Sequence, residues 1–200
     1  MGCIDLVQLL LSQGADVRAK TLVGTAALHA AVRVGDRTMT EFLLNHKANM
    51  NERGEQRDTA LHCTARALDN RLTDYRDVAA LLLSRGADVN LRNEKRETVL
   101  HLAAAWGAAD IAELVLGVGG DINGVDNEGS TALHWAARRS EKMNQLGVDH
   151  QKKFGIALQL VARGINWNAV NNQGRTARAI AETDLPKGSL LRHFLGGLPQ

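Results

Sequence analysis

Proline and cysteine occur only twice each in 200 residues, aromatics make up 4%, and the net charge is only +2. Each scarcity removes a class of protein. Cys3 and Cys63 stand alone, without metal-ligand spacing, and fit a reducing intracellular compartment, cytoplasmic or nuclear. Near-balanced charge gives no electrostatic mandate for nucleic acid. The most apolar window, residues 102–120, carries Asp110 and Glu113 at mid-span, which argues for a helical hairpin and against a membrane span. Asp5 interrupts the one opening segment that could resemble a secretory signal, and Leu6 stands where a myristoylation start needs Ser or Thr. There is no nucleophile elbow, zincin pair, P-loop or CxxC. Gly117-Val118-Gly119-Gly120 looks superficially like a phosphate loop but follows a helical stretch. No catalytic residue, cofactor or metal is therefore expected.

What the chain has is repetition. Glu128-Gly129-Ser130-Thr131-Ala132-Leu133-His134-Trp135-Ala136-Ala137 is echoed around His29, His62 and His101, so that the motif histidines step by 33, 39 and 33 residues. A second phrase answers each copy: Gly14-Ala15-Asp16-Val17, Lys47-Ala48-Asn49-Met50-Asn51, Gly86-Ala87-Asp88-Val89-Asn90 and Gly119-Gly120-Asp121-Ile122-Asn123. A period in this range signals stacked units and not one globular core. An apolar fraction of 44% with few aromatics predicts a helical core of Leu, Ala and Val.

The two phrases resemble the ankyrin repeat, whose pattern is Gly-x-Thr-Pro-Leu-His-x-Ala-Ala, an apolar helix, then Gly-Ala-Asp-Val-Asn. The resemblance covers nearly the whole chain. It implies an all-α solenoid of helix-turn-helix units joined by β-hairpin loops. The expected division is a half repeat at 1–19 and five repeats at about 20–51, 52–90, 91–123, 124–168 and 169–198. Residues 4–11 match a second helix, apolar on almost all sides, which predicts burial on both sides within a longer array or larger protein. The family's helix-opening proline is Ala27, Ala60, Val99, Ala132 and Ala177 here, which weakens pre-organisation of the first turn.

Two units are long. The second holds 6 extra residues at 68–75, a cheap surface insertion. The fourth holds 12 extra, about 140–153, part of which could prolong the inner helix up to Gly147. In the last unit Arg178 and Ala179 replace Leu-His, and a short helix over 189–195 follows Pro186, which reads as a terminal cap.

Four histidines in register invite a metal reading, but neighbouring helices pack roughly 8–10 Å apart, while zinc ligands each lie about 2 Å from the ion. The family resemblance instead implies that His29, His62, His101 and His134 tie neighbouring loops together by hydrogen bonds. Helical spacing places Ala30, Cys63, Leu102 and Trp135 in one row and Arg33, Arg66, Ala105 and Arg138 in another. Trp and Arg concentrate binding energy at interfaces. The alternative is that the arginines form a solvated face and Trp135 packs on the next repeat. The family implies a protein partner held by this groove and by the hairpin tips, among them Arg53, Glu55, Arg92 and Lys95, with the chain a monomer or part of a longer one.

Two further readings stay open. The segment 138–153 carries +3 net charge and could meet an anionic phospholipid or nucleic-acid surface, though it lacks aromatic interleaving. A small-molecule or catalytic pocket would need the insertions to fold back near Tyr75 and His150. The family also includes substrates of an asparaginyl hydroxylase, and Leu82 with Asp88-Val89-Asn90 resembles its target pattern.

Overall fold

The computed structural model describes residues 3–66, 75–139 and 150–199. Among these, regular structure is helical, and the β pairing consists of two isolated bridges, Lys20 with Ala26 and Val170 with Thr176. Five short helices form an inner row: α2 (Ala27–Arg33), α4 (Ala60–Ala65), α6 (Val99–Trp106), α8 (Ala132–Ala137) and α10 (Ala177–Asp184). Six form an outer row: α1 (Cys3–Ser12), α3 (Arg37–Asn45), α5 (Tyr75–Ser84), α7 (Ala109–Gly117), α9 (His150–Ala162) and α11 (Leu190–Gly196). From α2 on, each inner helix packs on the next inner helix and on its own outer partner, and each outer helix from α3 on packs on the next outer one. The chain is an all-α stack of repeats.

The core follows from the repeated phrase. Leu28, Leu61, Leu100 and Leu133, one per unit, are each 1% exposed, and the alanines beside them let the inner helices approach closely. Asp36 caps α3 by accepting from the Met39 N–H at 2.8 Å. Gly107, at φ 74°, makes the left-handed turn from α6 to α7. Lys47 sits at φ 67° in the slot that glycine fills at positions 14, 86, 119 and 164, where a side chain is strained.

One expectation needs correction. Helix α8 is not prolonged: it ends at Ala137, and Arg138 is extended at φ −70°, ψ 138°. The lengthened element is the outer helix α9, at 13 residues, whose Lys153 Nζ donates to the Arg138 carbonyl at 3.0 Å and holds the chain turned away there. Residues 140–149 lie outside the described residues, as do residues 67–74, which include most of the insertion at 68–75. Helix α1 has no buried residue. Ile4 and Val7 pack on the core, while Leu6, Leu9 and Leu10, half a turn round the helix, remain 47–50% exposed. The apolar circumference is real, but only one side of it is covered.

Candidate functional site

The repeated histidine joins each unit to the next. The backbone N–H of Thr98 donates to His101 Nδ1 at 3.1 Å, so the proton sits on Nε2, which donates to the Ser130 carbonyl at 3.0 Å. His62 does the same with Thr59 and Glu97, His134 with Thr131 and Arg175, and His29 with Ala26 and Glu52. Burial lowers the pKa of all four rings, that of His62 to about 4, which keeps the network neutral. A protonated Nδ1 could no longer accept the backbone N–H. Among the described residues no group of His, Cys, Asp or Glu could hold a metal ion.

A second set of bonds joins the hairpin tips. Glu94 N–H donates to the Gln56 carbonyl at 2.9 Å, Asn127 N–H to Lys95 at 3.0 Å, and Asn172 N–H to Glu128 at 2.9 Å. Beneath them runs a staircase of long cations in one repeat slot. Lys20 Nζ reaches the Arg53 carbonyl at 3.2 Å, Arg53 Nη1 reaches Arg92, and Arg92 Nη1 reaches Val125. A third ladder uses asparagine: Asn51, Asn90 and Asn123 accept at Oδ1 from the N–H of Asp88, Asp121 and Asn166 at 2.8–2.9 Å. Neighbouring units are thus tied both at the finger tips and at the turns that follow the outer helices.

The sequence-predicted groove residues divide into three groups. Arg33 is exposed, and its carbonyl accepts from the Tyr75 hydroxyl at 3.0 Å. Arg66 is committed internally: its Nε lies 3.0 Å from Asp58 Oδ2 and its Nη2 3.4 Å from Glu97 Oε2, while Asn93 Nδ2 donates to both carboxylates. Burial raises the Asp58 pKa in this cluster and, with Asp58 nearby, pushes the Cys63 thiol up to about 12. Leu102, expected to face a partner, is 3% exposed and belongs to the core. The row it occupies is floor at that unit and not surface.

The fourth unit holds the most organised polar group. Trp135 is half-buried, its Nε1 donates to Asp126 Oδ2 at 2.8 Å, and the Arg138 guanidinium lies 4.7 Å above the ring centroid. Arg138 also pairs with Glu128 and donates to Ser130 Oγ at 3.3 Å. The guanidinium and the indole are held in place before any partner arrives. Sequence spacing put Trp135 and Arg138 on one face, but Asp126 and Glu128, on the preceding finger, carry no local signal of this pairing.

At the tips, Glu55 and Lys95 are exposed, while Arg53 and Arg92 are half-buried with guanidiniums bonded to the next finger. Sequence reasoning passed over Arg57 and Arg96. Both are exposed and stand at positive φ, 59° and 61°, in the slot where Gly24, Gly129 and Gly174 stand in the other units. An arginine in a glycine slot was the available signal.

The pocket expected near Tyr75 and His150 would be built by the two insertions, which lie largely outside the described residues, as does the His150 side chain; the Tyr75 hydroxyl donates to the Arg33 carbonyl. An open cleft of about 400 Å³ lies instead at the C-terminal unit, between Trp167, Arg178, Glu182 and Leu195. No helix among the described residues is long and apolar enough to cross a membrane. A family model described as ankyrin repeats in three copies matches residues 1–93 and 71–150. No curated protein matches the chain.

Proposed function

Because this chain belongs to the ankyrin-repeat family, whose members generally mediate protein–protein interaction, we propose that it is a non-enzymatic adaptor that grips a partner protein with its concave face and hairpin tips. The observation that carries this reading is the Trp135–Arg138 pair, with the guanidinium 4.7 Å above the indole and both side chains anchored by acids of the adjoining finger. Aromatic and arginine anchors held in place before binding lose little freedom on association, which is how a small surface gains affinity. The three ladders of inter-unit bonds supply the stiffness that such an anchor needs.

Arg33 and Trp135 mark the two ends of the proposed surface, with Arg66 serving as its internal support. The experiment is affinity purification from lysate with quantitative mass spectrometry, comparing the chain with a Trp135→Ala/Arg138→Glu variant. The expected outcome is loss of specific partners with helical circular dichroism unchanged. An identical set of partners on both proteins excludes this surface.

A further inference from the structure

The tips of the second and third units carry a charge excess that nothing among the described residues neutralises. Six cations lie there or on the adjoining helix face, Arg33, Arg53, Arg57, Arg92, Lys95 and Arg96, while the exposed carboxylates on those tips are Glu55 and Glu94. The other acids nearby are spoken for: Asp58 and Glu97 by Arg66 and Asn93, Glu52 by Lys20. Arg33, Arg57, Lys95 and Arg96 make no side-chain hydrogen bond or ion pair among the described residues. The fourth tip has no such excess: Glu128 pairs with Arg138, and Asp126 is buried and accepts from Trp135.

A second observation, independent of charge, singles out two of these side chains. Arg57 and Arg96 hold left-handed backbone conformations that glycine takes in the first, fourth and fifth units. A side chain there strains the backbone. Such strain gathers at functional sites, where the side chain is needed for something other than folding. Neither guanidinium makes a hydrogen bond or ion pair among the described residues.

From these observations we infer that the second and third finger tips dock an extended acidic peptide segment, with carboxylates three residues apart meeting Arg57 and Arg96. This rests on reading the fingers and concave face as the partner-binding surface. The spacing follows from the stack. Equivalent positions in neighbouring units lie about 10 Å apart, the distance between packed helices. A polyproline II chain rises about 3.1 Å per residue with three residues per turn, so every third side chain faces the same way about 9 Å further on. An acidic residue, two of any kind, and a second acidic residue therefore match the pair.

The test uses a random dodecapeptide library displayed on phage and panned against the whole chain, followed by fluorescence polarisation of the selected peptides. An Arg57→Gly/Arg96→Gly variant is the decisive comparison, because glycine relieves the backbone and the protein should melt higher, so a loss of binding cannot be misfolding. The expected result is enrichment of peptides with carboxylates three apart, binding that weakens with salt, and about tenfold loss in the double variant. Enrichment of neutral or basic peptides that bind the double glycine variant as well as wild type overturns this inference while leaving the adaptor reading intact if Trp135→Ala/Arg138→Glu abolishes them. Selection of no peptide overturns it too, and the adaptor reading then stands or falls on the partner-capture experiment. Tighter binding of a mixed-sequence DNA duplex than of any selected peptide also overturns it.

Discussion

Acidifying the protein should unfasten its histidines, and His62 allows the effect to be sized. Its ring is neutral in the fold because burial drives the pKa down to about 4. In the unfolded chain it titrates at its ordinary 6.5. The unfolded state therefore binds the extra proton first, and stability falls as pH drops through the window between those values. Stability is complete above 6.5 and lost progressively down to the folded pKa. At about pH 5 the unfolded ring is almost fully charged and the folded one about a tenth charged, a difference worth about 2 kcal/mol for this residue alone. His29, His101 and His134 are shifted the same way and add to it. Asp58 acts in the opposite sense: burial raises its pKa, so its contribution grows as pH falls through a window whose lower edge is the ordinary 3.8. Urea titration followed by circular dichroism should show the midpoint falling between about pH 7.5 and pH 5, by roughly 1 M for the His62 share at a slope near 2 kcal/mol per molar. A His62→Gln variant keeps an acceptor and a donor but does not titrate, so its midpoint should fall by about 1 M less over the same interval. A wild-type midpoint that holds steady or rises on acidification, or the same pH dependence in both proteins, refutes the reasoning.

Three other outcomes are expected. Lys47→Gly should raise the urea midpoint, by about 1 kcal/mol of stability, because glycine takes the φ of 67° at little cost. Gly54→Ala should lower thermal stability by about 1–3 kcal/mol, since a Cβ there would stand 3.0 Å from the His29 ring in a packed interface. Lys153, whose pKa burial lowers from 10.5 to about 8, makes stability rise as pH climbs through that window. A Lys153→Met variant should lose that rise in a denaturation series across alkaline pH, and an unchanged rise would remove the buried ammonium from the account.

The repeat pattern was legible because it recurs in phase: Thr98-Val99-Leu100-His101 and Thr131-Ala132-Leu133-His134 specify the same cap, core leucine and inter-unit bond, and the structure returns all three. Four of the inner helices open on the residue after the phrase's threonine, at Ala60, Val99, Ala132 and Ala177. What a helical face exposes was harder to read. Leu102 and Cys63 occupy one row, yet Leu102 is sealed into the core and Cys63 is half-exposed, because exposure depends on the neighbouring helix and not on spacing along one. The commitment of Arg66 was equally hidden, since Glu97 lies 31 residues away and belongs to the next unit. The length of α9 went unread because Lys153, a surface residue by composition, is 1% exposed and holds the end of α8.

The half-covered α1 has a consequence for how the molecule comes apart. In a stack held by neighbour contacts, the unit with least contact opens first and the rest follow like a zipper. A helix with no buried residue is that first tooth, and amide exchange should begin at residues 3–12 and spread toward α2 and α4. The basic tips stand on the units next in line. Whatever settles across Arg57 and Arg96 would bridge teeth two and three, so occupancy and resistance to opening would rise together.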